Sequence, residues 1–149
     1  NGEVIVIAKA IVKMPEEFLL KISRLESKTD DIVPKVLEAG GNVVLQKVKS
    51  NLQGVIGKGT KRRSKSTGEL LRSIGLYKAR QDRNGDHNVK VGFAEPRGKG
   101  GSNAKLANIL EYGKHGQPAR PFLKPAKSSS KKACEDAMIA KLEEELRQI

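Results

Sequence analysis

Thr29-Asp30-Asp31-Ile32-Val33-Pro34-Lys35-Val36-Leu37-Glu38-Ala39-Gly40-Gly41-Asn42-Val43-Val44-Leu45-Gln46-Lys47-Val48-Lys49-Ser50-Asn51-Leu52-Gln53-Gly54-Val55 is the stretch on which the fold turns. Val33, Val36, Leu37, Val44, Val48, Leu52 and Val55 recur at helical spacing and fall near one face, so the segment reads as the main core helix. Thr29-Asp30-Asp31 offers a cap, and Pro34 is tolerated in a first turn. Gly40-Gly41 in mid-helix costs about 1 kcal/mol per residue relative to alanine, which points to either a bend or a close approach of helix to sheet.

Upstream, Glu3 to Lys13 alternates. Positions 4, 6, 8, 10 and 12 are all apolar, which predicts a half-buried strand. Pro15, Glu16 and Glu17 then suit a helix start, with Phe18, Ile22 and Leu25 at helical spacing behind them. Downstream, Gly54 to Gly68 loses all periodicity and carries Lys58, Lys61, Arg62, Arg63 and Lys65 without an acid, which predicts a mobile basic loop over about 54–67.

Leu70, Leu71 and Ile74 open a short helix or turn leading into a strand over 74–80. Val89 to Phe93 is its partner across a turn at Asn84-Gly85. Asn103 is placed to cap a helix through Tyr112 that buries Leu106, Ile109 and Leu110, and Gly113 to end it. Lys114 to Pro125 reads as a Pro- and Gly-rich loop. A last helix over about 126–149 repeats Met138, Leu142, Leu146 and Ile149. The pattern as a whole is α+β: a small antiparallel sheet packed against a long helix, with additional N-terminal, central and C-terminal helices and long basic loops. With 149 residues and no break in composition, one domain over 1–149 is expected, able to bury roughly two-thirds of its unfolded surface.

The charge is +12, from 29 Lys and Arg against 17 Asp and Glu. It favours polyanions or acidic protein surfaces as partners. The basic loop has two readings, a solvated self-repelling loop, which is preferred, and a phosphate-contacting one. Lys114, Arg120, Lys124, Lys127, Lys131 and Lys132 form a second basic stretch. Cations at a helix start are unfavourable, so their placement hints at an anionic partner. Three Phe, two Tyr and no Trp leave few rings for base stacking, which counts against a dedicated single-strand binder.

Chemistry is poorly supplied. His87 and His115 are the only imidazoles, one in a polar turn and one in a glycine-rich loop, and no spacing of His, Cys or acids matches a metal site. Gly54 to Thr60 lacks the spacing of a phosphate loop and has no strand before it. Cys134 reads as a buried filler. Catalytic, cofactor and metal residues are therefore expected to be none, with no small-molecule substrate. The longest apolar run is too short to cross a bilayer, and the opening residues do not resemble a secretory signal, so folding in a reducing cytoplasm is expected.

Pro118, Pro121 and Pro125 hold Arg120-Pro121-Phe122-Leu123 in an extended path. Phe122 and Leu123 either project as apolar anchors for a neighbouring subunit or cap their own core.

Four segments in order resemble the tail-completion or minor tail proteins of tailed bacteriophages. Thr67-Gly68-Glu69-Leu70-Leu71-Arg72-Ser73-Ile74 is similar to that family's Thr-Gly-x-Leu-x-x-Ser-Ile signature, and Val89-Lys90-Val91-Gly92 to the strand that follows it. Ala107 to Gly113 resembles its Glu-Tyr/Phe-Gly helix end, and Arg120 to Ala126 its Arg-Pro-Phe-Leu-x-Pro-Ala segment. Lys114 stands where a Thr commonly follows the Glu-Tyr/Phe-Gly, and the basic loop lacks the Pro that often precedes the Thr-Gly.

The resemblance implies a structural virion subunit without enzymatic activity. It would form a homo-oligomeric ring of about six copies at the head-tail junction or the top of a phage or phage-like tail, assembled in the bacterial host cytoplasm. The implied partners are further copies and the neighbouring tail terminator, tail tube or connector proteins, with DNA in the lumen left open. Arg120, Pro121, Phe122, Leu123, Glu111 and Tyr112 are the candidate subunit interface. Lys58, Lys61, Arg62, Arg63 and Lys65 are candidate contacts to an anionic partner. The alternative is a basic nucleic-acid-binding protein.

Overall fold

The computed structural model describes residues 8–24, 29–55, 67–94 and 103–148. Among these the chain runs β1 (Ala10–Lys13), α1 (Glu16–Ser23), α2 (Thr29–Val55), α3 (Thr67–Ser73), β2 (Ile74–Leu76), β3 (Arg80–Gln81), β4 (His87–Phe93), α4 (Asn103–Tyr112) and α5 (Leu123–Arg147). The expected α+β class is what the structure shows: a small antiparallel sheet against a long helix. Val4, Val6, Leu25, Ile149 and the basic residues Lys58, Lys61, Arg62, Arg63 and Lys65 lie outside the described residues.

β4 is the spine of the sheet. β1 pairs along one side of it, with Val12 opposite Val89, and β2 and β3 pair along the other. The strand expected over 74–80 is split. Leu76 opposes Val91 while Arg80 opposes Asn88, so one extra residue is accommodated between them, and the stretch at Tyr77 to Ala79 bulges. The bulge lays the Tyr77 ring over Gly92, where a β-carbon would stand 3.1 Å from the ring, and its hydroxyl donates to the Phe93 carbonyl at 3.1 Å. The hairpin before β4 turns where expected. Gly85 adopts φ +85, and the Asp82 carboxylate accepts the backbone N–H groups of Asn84 and Asp86, both at 2.9 Å.

α2 is the 27-residue axis of the core, and its apolar face is the expected one: Val33, Val36, Leu37, Val44, Val48 and Leu52 are buried, and Val55 at its end is half-buried. α5 runs antiparallel to it. Asn51 near the end of α2 donates to the Phe122 carbonyl, and Lys35 near its start pairs with Glu145 at 3.7 Å. The two central glycines face different neighbours. A β-carbon at Gly41 would meet Leu76 Cδ1 at 2.7 Å and Val89 Cγ1 at 2.9 Å, whereas one at Gly40 would meet Met138 Cγ at 2.6 Å and Cys134 Sγ at 3.0 Å. Of the two readings of Gly40-Gly41, the structure therefore gives close approach, to the sheet on one side and to α5 on the other.

α5 has a small-residue half and a larger half. Ala126, Ser130 and Cys134 are buried in the first, Met138 and Leu142 in the second. The small side chains let the two helices approach, and dispersion contacts then replace the volume lost. Near its end the buried Glu145 carboxylate lies between Lys35 and Lys141, at 3.7 and 3.6 Å. Two further expectations need correction. α5 begins at Leu123, three residues before the expected 126, with Pro125 inside its first turn. In α4 the buried residues are Asn103, Ala107 and Glu111, while Leu106, Ile109 and Leu110 are only half-buried. Glu111 is drawn inward by backbone hydrogen bonds, and it rotates the helix face with it.

Candidate functional site

Two of the segments singled out in the sequence meet where α4 ends and α5 begins. α4 stops at Gly113, whose φ of +78 turns the chain and whose N–H donates to the Ile109 carbonyl at 2.8 Å. A β-carbon at Gly113 would lie 2.8 Å from the backbone nitrogen of Ala119, so the returning chain leaves room only for glycine. Lys114 and Gln117 close a small antiparallel turn through a pair of 2.9 Å backbone bonds, with Gly116 at φ +79 between them. The Arg120 N–H then donates to the Leu110 carbonyl at 2.6 Å, which aims the chain back across α4.

Glu111 holds the start of α5. One carboxylate oxygen accepts the N–H groups of Phe122 and Leu123 at 2.8 and 2.7 Å, and the other accepts that of Lys124 at 3.1 Å. No side chain of α5 caps its own N-terminus, and its first turn contains no acid. The missing negative charge arrives from α4 instead. A buried carboxylate at the positive end of a 25-residue helix is the arrangement that the backbone dipoles favour. The anion at the first turn of α5 is thus supplied by the chain itself.

Phe122 is fully buried and meets Phe93 edge to face, with ring centroids 5.9 Å apart. Leu123 is buried beside it. Of the two readings of this segment, capping of the chain's own core is the one the structure realises. Of the six residues expected at a subunit interface, Glu111, Phe122 and Leu123 thus lie inside the subunit. The structure leaves Tyr112 57% exposed, Pro121 exposed and Arg120 half-exposed on its outer side. The Glu-Tyr-Gly and Arg-Pro-Phe-Leu segments, read separately in the sequence, are two halves of one clasp.

The remaining motif serves the same core. Leu70 and Ile74 are buried, the Ser73 hydroxyl donates to the Leu70 carbonyl at 2.6 Å, and the Ser73 carbonyl accepts the Ala94 N–H at 2.8 Å. Asn103 does not cap α4 through its side chain. Its amide nitrogen donates to the Ala94 carbonyl at 2.9 Å, and its Oδ1 is buried without a partner among the described residues. The Asn108 side-chain oxygen accepts the N–H of Ala8, tying α4 to the chain entering β1.

Around this clasp the surface is cationic. Lys114, Lys124, Lys127, Lys131 and Lys132 are exposed. Among the described residues no group of three or more His, Cys, Asp or Glu side chains is placed to hold a metal, and no helix is long and apolar enough to cross a membrane. Sequence reasoning missed Glu111 as a cap, Asn51 as a ligand of the Phe122 carbonyl and Glu145 as a buried ion partner. The one available signal for the first was a lysine-rich helix start with no acid of its own.

The residues 16–113 match a protein-family model, HK97-gp10-like, described as "Bacteriophage HK97-gp10, putative tail-component". The matched part runs from the start of α1 to the glycine that ends α4. No curated protein and no solved structure matches the chain.

Proposed function

The chain belongs to the HK97-gp10-like family of bacteriophage tail components, and we propose that it is a ring-forming structural subunit, without enzymatic activity, that completes the tail and joins it to the head. A tail component is part of the virion and works against other tail proteins. The finer reading is a closed ring of about six copies at the head-tail junction or the top of the tail. Its neighbours there are the terminator, tube or connector proteins.

The observation that carries this reading is the family match over α1 to α4, which includes the core helix, β2 to β4 and half of the clasp. α5 lies beyond the match but is bound to it by three hydrogen bonds to Glu111 and by the packing of Phe122 on Phe93. Such a unit acts by shape. In a ring the contact is heterologous, so each copy presents two different surfaces. Tyr112, Pro121 and Arg120 stand on one of them in this reading. Their partly apolar, partly cationic character suits an interface that seats one aromatic ring among polar groups.

The decisive experiment is deletion of the gene followed by electron microscopy of the particles, with the purified chain added back. Unjoined heads and tails that regain infectivity on addition, with the chain in a ring at the junction, are the expected result. Complete and infectious tails in its absence would end the proposal.

A further inference from the structure

β1 is an edge strand. Among the described residues it pairs only with β4, and no described strand lies along its other side. The Met14 N–H donates to the His87 carbonyl at 2.9 Å, which sets the alternation of backbone groups along the strand. Ala10 and Val12 therefore turn their N–H and C=O groups towards β4, while Ile11 and Lys13 turn theirs away from it. α5 passes alongside this edge without closing against it. A groove of about 440 Å³ remains between them. Ile11, Val44 and Met138 give it an apolar floor, and Lys13, Lys127 and Lys131 stand around it. Glu135 is the one acid in its wall, and Lys13 is held by an exposed pair with Asp86 at 3.9 Å, so Lys127 and Lys131 keep the balance positive.

An unpaired strand edge beside an apolar trough offers backbone hydrogen bonds and side-chain pockets together, the two components by which an added strand is recognised. We propose that this groove receives an extended, acidic segment of another protein as an additional strand on β1, its acids meeting the three lysines and its apolar side chains filling the floor. The charge identifies the occupant. None of the four described strands, Ala10–Lys13, Ile74–Leu76, Arg80–Gln81 and His87–Phe93, contains an acidic residue, so those of a second copy lack the complement. Nucleic acid would satisfy the lysines but neither the strand edge nor the apolar floor. The site needs no ring and goes beyond the reading of the chain as a ring subunit.

The test uses the full chain and a fluorescein-labelled heptapeptide of alternating glutamate and valine, followed by fluorescence anisotropy at low salt. Saturable binding is expected, together with slowed hydrogen exchange at the Ile11 and Lys13 amides. The double variant Lys127→Glu/Lys131→Glu should weaken binding about tenfold, at roughly 0.5–1 kcal/mol for each exposed charge contact. Both lysines are exposed on α5, beyond its first turn, so the reversal removes no buried contact, and a melting curve of the variant separates a folding defect from lost binding. Lys13→Gln, on the opposite wall, should weaken binding independently. A peptide with proline at its centre should not bind, because it cannot complete the strand pairing. Absence of binding overturns the proposal, as do equal binding by the proline peptide, indifference to the lysine changes, and exchange protection elsewhere. A groove closed by a second copy, seen as a dimer in sedimentation that the lysine reversals dissociate, overturns it too. So does duplex DNA that protects the same amides better than the peptide.

Discussion

Removing the carboxylate of Glu111 should detach the start of α5. The three backbone N–H groups it serves, at 2.8, 2.7 and 3.1 Å, have no other side-chain cap. Hydrogen bonds to a charged group contribute about 1.5–3 kcal/mol each, but the three share one carboxylate and Lys124 stands partly in water, so they do not add in full. Glu111→Ala should therefore cost about 3–5 kcal/mol, with the buried Phe122 and Leu123 amides orphaned. Glu111→Gln keeps an acceptor oxygen but loses the charge, and about 1–2 kcal/mol is expected.

Urea unfolding with linear extrapolation reads both values, and the slope with denaturant should not change. For a protein of this size 1 kcal/mol corresponds to about 2–4 °C, so the alanine variant should melt roughly 10 °C below the parent. An alanine variant within about 0.5 kcal/mol of the parent would show that water caps the helix equally well, and the clasp would lose its energetic basis.

Gly41→Ala should lower stability by about 1–3 kcal/mol despite better helix propensity, since its β-carbon meets Leu76 and the stiff Val89 below 3.0 Å. Gly54→Ala in the same helix has no neighbour within 4 Å and should gain about 0.5–1 kcal/mol; the opposite order in thermal melting would refute the packing argument. Phe122→Ala should cost about 3–5 kcal/mol through the cavity left beside Phe93, and a silent change in urea unfolding would contradict its burial. Burial pushes the Cys134 thiol above its ordinary value of 9.0, Glu135 adds to the shift and Lys127 opposes it. A pKa raised on folding contributes stability below the ordinary value that is lost as pH rises through the folded one. The parent should therefore lose stability above about pH 9 more steeply than Cys134→Ala, and parallel pH profiles of melting would count against it.

The long helix was legible from end to end because its apolar period, its Thr29 start and its glycine-rich exit agree with one another. The hairpin at Asn84-Gly85 was equally readable, since that pair carries its own backbone preference. α4 was placed correctly but turned to the wrong face. Hydropathy favours Leu106, Ile109 and Leu110, whereas Glu111 and Asn103 are buried by bonds to backbone groups outside the helix, on the chain before and after it. α5 lost its first turn for a related reason. Lys124 and Pro125 without a local acid read as loop, because the cap is supplied by another helix. The bulge at Tyr77 to Ala79 has no composition of its own and follows from register alone. Within the segment Arg120 to Leu123, sequence reading did not settle which side chains point outward, a choice made by the packing of Phe93 and Phe122.

Gly40 has a consequence for the order of events during synthesis. The surface it presents is complementary to Met138 and Cys134, nearly a hundred residues later in the chain. Until α5 has left the ribosome, α2 has only the sheet, α1 and α3 to pack against among the described elements. Closing so long a loop is also the step that limits such topologies. The last of the described helices is thus the one that finishes the core. A nascent chain stalled before it should stay susceptible to protease along α2, and a particle in assembly would be offered only subunits whose translation has passed that point.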